Sequence, residues 1–319
     1  MNKVLSSILL SMVFVVSAVQ AEDYPSRPVR MLLPFSAGGG GDTLGRILAE
    51  RLSAELKQPV IVENKPGAGG TIGIHSVARS APDGYTITIG GMTTHVLSPS
   101  VYKNLPYDPI KDFISIGAIG TSSIIAIAAN DFPANDIAEL RSLAESRKEP
   151  VQYGSWGIGS TGHFCGEVLV QKGNLKLQHV PYKGTTQVIT DVIGGHVDLG
   201  FIDMATATPM IKQGKVKGLA VCTQRSPSVP DVPSYKEQGI DFDRELNWAM
   251  YVPAGTPKPI VAKLSSLLEK TLKDPAVVDK LLGLGITARY INGPEHEKAN
   301  EADAAAWKAV AQEAGIEPQ

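Results

Sequence analysis

The stretch Val29-Arg30-Met31-Leu32-Leu33-Pro34-Phe35-Ser36-Ala37-Gly38-Gly39-Gly40-Gly41-Asp42 decides the fold. Val29 to Leu33 is an apolar run suited to a strand covered on both faces. The four glycines let the backbone take positive φ and approach a ligand closely. Asp42 is a good N-cap, and Leu44, Ile47, Leu48, Leu52 and Leu56 follow at helical spacing. A strand, a glycine loop and a helix in that order offer unpaired N–H groups and the positive end of a macrodipole. That combination suits an anion.

The same grammar repeats along the chain. Val60 to Glu63, then Pro66-Gly67-Ala68-Gly69-Gly70, then an apolar pattern through Ile72, Ile74 and Val77 make a second unit. Pro82-Asp83-Gly84 is a turn, and Tyr85 to Ile89 a third strand. This β-α-β-α-β order predicts an α/β domain with a largely parallel sheet. Phe113 to Ala129 is longer than one strand needs. It reads as a strand that leaves the first domain and continues into a second.

Ile137 to Ser146 is helical. Val151 to Ser155 is a strand, followed by the loop Trp156-Gly157-Ile158-Gly159 and a helix from Ser160 or Thr161. Leu177 to Tyr182 ends in Lys183-Gly184-Thr185-Thr186, another helix start. Val197 to Asp203, Met204 to Gln213 and Lys217 to Thr223 alternate strand, helix, strand. Pro227 to Pro233 is a connector, and Trp248 to Val252 a strand. Ile260 to Leu272, Ala276 to Leu282 and Pro294 to Ala314 predict three helices that return to cover the first domain. The expected division is 1–21 signal peptide, 22–120 first domain, 121–223 second domain, and 224–319 returning to the first.

Bulk properties narrow the function. The chain has 319 residues, is 43% hydrophobic and 19% charged, and carries a formal net charge of −2. That suits two globular domains, and a mixed charge with no basic block makes nucleic acid a poor partner. Lys3, the apolar run Leu5 to Val19 and Val19-Gln20-Ala21 form a secretory signal peptide, cleaved before about Glu22. The mature protein is expected to be exported and soluble. Its two cysteines, Cys165 and Cys222, fit either a disulfide, which export permits, or two buried thiols.

Loops at the carboxyl ends of strands in two facing lobes would line one cleft. Lys183 is the only cation in a candidate loop. Backbone N–H groups and the hydroxyls of Ser36, Thr71, Thr93, Ser155, Ser160, Thr161 and Thr185 are the other donors. Neutral directed donors and helix dipoles suit carboxylate oxygens. Trp156 in a glycine loop points to the cleft, Asp203 to a cap or a cleft carboxylate, His163 to packing or ligand contact, and Trp248 to packing near the inter-domain strands.

Catalytic motifs come close and fail. Gly40-x4-Gly45 has phosphate-loop spacing, but Arg46 and Ile47 replace its lysine and hydroxyl. Gly157-x-Gly159-x-x-Gly162 matches a dinucleotide fingerprint without the later acidic partner. Tyr153-Gly154-Ser155-Trp156-Gly157 is near a nucleophile elbow, with Tyr153 in place of its first glycine. A secreted hydrolase using Ser155 with His163 or His179 is the minority alternative. The histidines lack metal-ligand spacing. No cofactor and no metal are expected.

With these residues assembled, the chain resembles the Bug family, the extracytoplasmic receptors of tripartite tricarboxylate transporters. The markers are Pro34-Phe35 with Gly38-Gly39 and Asp42, Glu63-Asn64-Lys65-Pro66-Gly67-Ala68-Gly69-Gly70, and Pro82-Asp83-Gly84-Tyr85-Thr86. Tyr107-Asp108-Pro109 with Asp112-Phe113, Val180-Pro181-Tyr182-Lys183-Gly184, Val197-Asp198 with Phe201, and Pro253-Ala254-Gly255-Thr256-Pro257 follow. Lys65, Ser115 and Ala249 stand where the family usually has Arg, Pro and Gly.

The resemblance implies a type II, Venus-flytrap periplasmic binding protein, each lobe an open, mostly parallel sheet flanked by helices. It implies a non-enzymatic, monomeric receptor that captures a small organic acid or amino acid and delivers it to large and small membrane subunits. The ligand residues it implies are Phe35, Ser36, Ala37, Gly38, Gly39, Thr93, Ser155, Ser160, Thr161, Gly184, Phe201 and Asp203. The loop analysis adds Asp42, Thr71, Trp156, His163 and Lys183. A partner role for a membrane sensor kinase shares the same cleft.

Overall fold

The computed structural model describes residues 24–242, 244, 246–313 and 316. The expected signal peptide, 1–21, lies outside the described residues.

The opening stretch folds as β1 (Val29–Leu33) and α1 (Gly40–Leu56). Three further elements continue the unit: β2 (Val60–Asn64), α2 (Thr71–Ala78) and β3 (Thr86–Gly91). A π-helical turn, Met92–Leu97, runs into the short α3 (Ser98–Val101). β4 (Phe113–Ser122) and β5 (Ile124–Ala128) divide the long apolar run at Ser123, and each joins a different sheet. The second lobe then builds α4 (Ile137–Ser146), β6 (Val151–Ser155), α5 (Thr161–Gln171), β7 (Leu177–Pro181) and α6 (Thr185–Ile193). It ends with β8 (Leu199–Asp203), α7 (Met204–Lys212) and β9 (Lys217–Val221). The chain returns through β10 (Leu246–Pro253), α8 (Lys258–Leu272), α9 (Pro275–Gly283), β11 (Thr287–Asn292) and α10 (Gly293–Glu313).

The first sheet has strand order β11-β4-β10-β3-β1-β2, and the second β7-β6-β8-β5-β9. The strands joined by helices are parallel, as expected: β1 with β2 and β3, and β6 with β7 and β8. The remaining pairings, through β10, β4, β11, β5 and β9, are antiparallel, so both sheets are mixed. The physical reason is connectivity. Parallel neighbours need a helical crossover, whereas strands arriving from the other lobe can enter in the opposite sense.

Each lobe has its own core. Leu33, Leu44, Leu48 and Leu52 seal α1 onto the first sheet, together with Leu264 and Leu268 of α8 and Leu281 of α9. Tyr153, Phe164, Val168 and Phe201 fill the second lobe. Burying such side chains contributes about 1.5–3 kcal/mol each.

Two features depart from expectation. After β9 the chain stays on the second lobe: Ser234 bridges to Val221, and Tyr235, Ile240 and Phe242 join its core. It reaches the first sheet only at Leu246. α8 and α9 do cover the first lobe, but α10 ends over the second. Trp307, 1% exposed, packs edge-to-face against Phe164 and Phe242 at 6.0 and 5.7 Å. An indole of that size gains more from this pocket than from the exposed outer face of the first lobe.

The cysteines are paired. The Cys165–Cys222 disulfide ties α5 to the residue after β9. Among the described residues, no helix is long and apolar enough to cross a membrane.

Candidate functional site

Helix α1 begins two residues before Asp42. Gly39 is its N-cap, and Gly40 and Gly41 already lie in the helix. The reason is local: glycine tolerates both the loop and the helical conformation, and no earlier side chain marks the start. Gly38 turns the loop at φ +76°. Asp42 therefore sits in the first turn and reaches back, accepting from the Gly38 amide at 2.9 Å. It also accepts from Arg46 Nε at 3.0 Å and Asn64 Nδ2 at 2.9 Å. Burial pulls the Asp42 carboxyl upward, but these hydrogen bonds overcome it and hold the group below its usual range. Asp42 is a loop brace and does not line the cleft.

The second lobe presents three helix starts toward the first lobe. Ser160 caps α5, accepting from the His163 amide at 3.2 Å. Gly184 caps α6. Asp203 caps α7, accepting from the Thr206 amide at 2.9 Å. Asp203 is thus both a cap and a cleft residue. Its carboxyl is raised, chiefly by burial, although the Thr206 hydrogen bonds oppose the shift.

The lobes are closed on one another. The Gly40 amide donates to Thr206 Oγ1 at 2.7 Å, and the Thr161 amide to Thr93 Oγ1 at 3.2 Å. The Tyr102 hydroxyl lies 3.1 Å from the Ile158 carbonyl oxygen, and Thr186 Oγ1 3.4 Å from Ser36 Oγ. Each bond joins a first-lobe residue to a second-lobe residue.

Between the contacts lies one cleft. Phe35, Ser36, Thr93, Trp156, Thr161, Lys183, Gly184 and Asp203, all singled out from sequence, line it. Ala37, Gly38, Gly39, Thr71, Ser155, Ser160, His163 and Phe201 do not. Gly39 lies against the second lobe, where an added Cβ would come 2.9 Å from Thr185 Oγ1. Thr71 Oγ1 donates to the Ala68 carbonyl within its own loop at 2.9 Å. Phe201 is fully buried against Tyr153 at 5.0 Å.

Ser155 belongs to a polar cluster behind the loop. Its Oγ is 2.7 Å from His179 Nε2 and 3.1 Å from Ser160 Oγ. The His163 and His179 rings are 4.2 Å apart. Burial lowers His163 to about 4. Burial, aided by His163, lowers His179 to about 3. Ser155 is 0% exposed, its hydroxyl covered in the closed form. The geometry suits a neutral brace under the Trp156 loop.

Several lining residues escape a sequence reading. Met92, Ser123, Ile124, Asn247 and Trp248 come from the π-helical turn and the crossover strands. No motif marks them, because their position follows from how two separate segments cross between lobes. Asn247 Oδ1 is buried without a hydrogen-bond partner, while its Nδ2 donates to Asn300. Among the described residues, no group of three or more His, Cys, Asp or Glu could hold a metal.

Comparison with known proteins agrees with this architecture. A family model described as tripartite tricarboxylate transporter family receptor matches residues 44–316. A protein of Agrobacterium vitis, described as a UPF0065 protein in the TAR-I ttuE-ttuC' intergenic region, is 36% identical, covering 89% of this chain and 83% of its own length. The solved structure of the periplasmic binding protein BugD is 38% identical with a TM-score of 0.88, covering 93% of this chain and 100% of that one. R. palustris Rpa4515 with adipate is 30% identical with a TM-score of 0.89, covering 93% and 100%. The two-lobed α/β fold, the paired loop-to-helix units and these matches together place the chain in the tripartite tricarboxylate transporter receptor family, of the Bug type.

Proposed function

We propose that the protein is a periplasmic solute receptor that captures a small carboxylate in the inter-lobe cleft and delivers it to a tripartite membrane transporter. The observation that carries this is convergence. The N-termini of α1, α5 and α6 come from two lobes to one cleft rich in amides and hydroxyls. Such donors suit an anion, and contacts to both lobes are what a ligand needs to shift an open–closed equilibrium. The adipate recorded with Rpa4515 supports a carboxylate.

The ligand residues of this reading are those that line the cleft: Phe35, Ser36, Thr93, Trp156, Thr161, Lys183, Gly184 and Asp203. Ala37 to Gly39, Asp42, Thr71, Ser155, Ser160, His163 and Phe201 shape the loops that carry them. The domain division is 22–120 with the returning C-terminal segment, around a second domain beginning at 121. In this reading the second crossover lies just before Leu246 and not at 224, because Tyr235, Ile240 and Phe242 pack with the second lobe. The receptor is taken to work as an exported monomer without catalysis. A carboxylate screen by thermal shift tests the reading, because a ligand that binds only the native state raises its stability by mass action. Stabilisation by sugars or amines, with none by any carboxylate, would overturn it.

A further inference from the structure

The walls of the cleft are more apolar than an anion alone requires. Each lobe lays one aromatic ring over the first turn of the helix that follows its glycine loop. Phe35 lies over Gly41, where an added Cβ would fall 2.4 Å from the ring. Trp156 lies over Gly162, where an added Cβ would fall 2.6 Å from its Cζ3. Glycine at both positions lets a ring close against a helix start, so ring and helix N-terminus border the same space. Trp248 completes the first-lobe wall, edge-to-face with Phe35 at 5.3 Å. All three aromatic residues are half-buried and line the cleft.

The charges in the lining are few: Lys183, exposed at the lip, and Asp203, buried within. A di- or tricarboxylate would bring two or three negative charges beside a buried carboxyl with one outer cation to offset them. Desolvating unpaired charge in this way is costly. A single carboxylate can be met by the amides and hydroxyls of the loops alone.

We propose that the preferred ligand is a monocarboxylate with a single planar apolar ring, gripped between Trp156 of the second lobe and the Phe35–Trp248 pair of the first. The proposal rests on the carboxylate-receptor reading above. Half-buried aromatic faces on both lobes supply the body's contacts, and the helix starts supply the carboxylate's.

Calorimetric titration of the full mature chain with benzoate, citrate, malate and benzyl alcohol tests it. Benzoate is expected to bind at least tenfold more tightly than citrate or malate, and to perturb tryptophan fluorescence. Trp156→Leu should weaken benzoate at least tenfold, and Trp156→Phe should restore most of the affinity. Circular dichroism checks that both variants are folded. Tighter binding of citrate or malate than benzoate would overturn the ring and leave the carboxylate receptor standing. Benzoate affinity within twofold of the parent in both Trp156 variants would do the same. Binding of benzyl alcohol as tight as benzoate, or of no carboxylate at all, would overturn both.

Discussion

The backbone amide of Gly40 donates to the hydroxyl of Thr206 at 2.7 Å, from the start of α1 in one lobe to the start of α7 in the other. The Thr206 oxygen also lies 2.9 Å from Asp203 Oδ2. The positive end of α1 therefore meets a carboxyl of the protein itself when the lobes close. A Cβ at Gly40 would fall 1.8 Å from Asp203 Oδ1 and 2.6 Å from the Ala205 Cβ. Only glycine permits this approach.

Gly40→Ala should fold, since alanine favours a helix over glycine by up to ~1 kcal/mol. It should nevertheless fail to close. Small-angle scattering should show a larger radius of gyration than the parent in saturating ligand. Carboxylate affinity should fall at least ~10-fold, about 1.4 kcal/mol. A variant that closes and binds like the parent would refute the contact's role.

The Cys165–Cys222 bridge closes a loop with a sequence separation of 57. Loop-entropy scaling gives about 4 kcal/mol for a loop of that length. The Cys165→Ser/Cys222→Ser variant should unfold at clearly lower denaturant than the oxidised parent. Unchanged chemical denaturation midpoints would show that the bridge adds little.

His163 is held neutral by burial, its value lowered from the usual 6.5 to about 4. Between those values the unfolded chain binds the proton and the folded chain does not, so stability falls as pH drops. The loss is on the order of 3 kcal/mol at pH 4 for one such group. His179 and Glu167 face the same ring, and His179, itself lowered to about 3 by burial, loses stability over the same pH range. His163→Gln should lessen the melting temperature's dependence on pH between 6.5 and 4, while His179, His95 and His296, also lowered by burial, keep part of it. A parent-like slope in that variant would place the acid sensitivity elsewhere.

Ser155 holds His179 Nε2 at 2.7 Å in a buried site. Ser155→Ala should leave that nitrogen unpaired and cost about 1–3 kcal/mol. No ester hydrolysis should be measurable in the parent or the variant. Turnover by the parent that disappears in Ser155→Ala would revive a hydrolase.

How much was legible in the sequence follows from which interactions are local. The β1–loop–α1 unit, the parallel strand triplets and the split of 113–129 between two sheets were readable, because periodicity, glycine runs and strand length are properties of contiguous residues. The same holds for a helix start at Ser160 or Thr161, of which Ser160 is the cap. Asp42 was misread as the cap because four glycines leave no side chain to mark where the helix begins. β11 and the π-helical turn carry no periodic signal of their own and form only against β4 and the cleft floor.

The sequence by itself determined two α/β lobes with glycine loops at the carboxyl ends of their strands. The tertiary structure alone decided that Thr206 meets Gly40, that Asp203 faces α1, that Asn247 and Trp248 line the cleft, and that Trp307 locks α10 onto the far lobe. Those pairings join residues far apart in the chain. They depend on the angle and depth of lobe closure, which side-chain packing sets and no local pattern encodes.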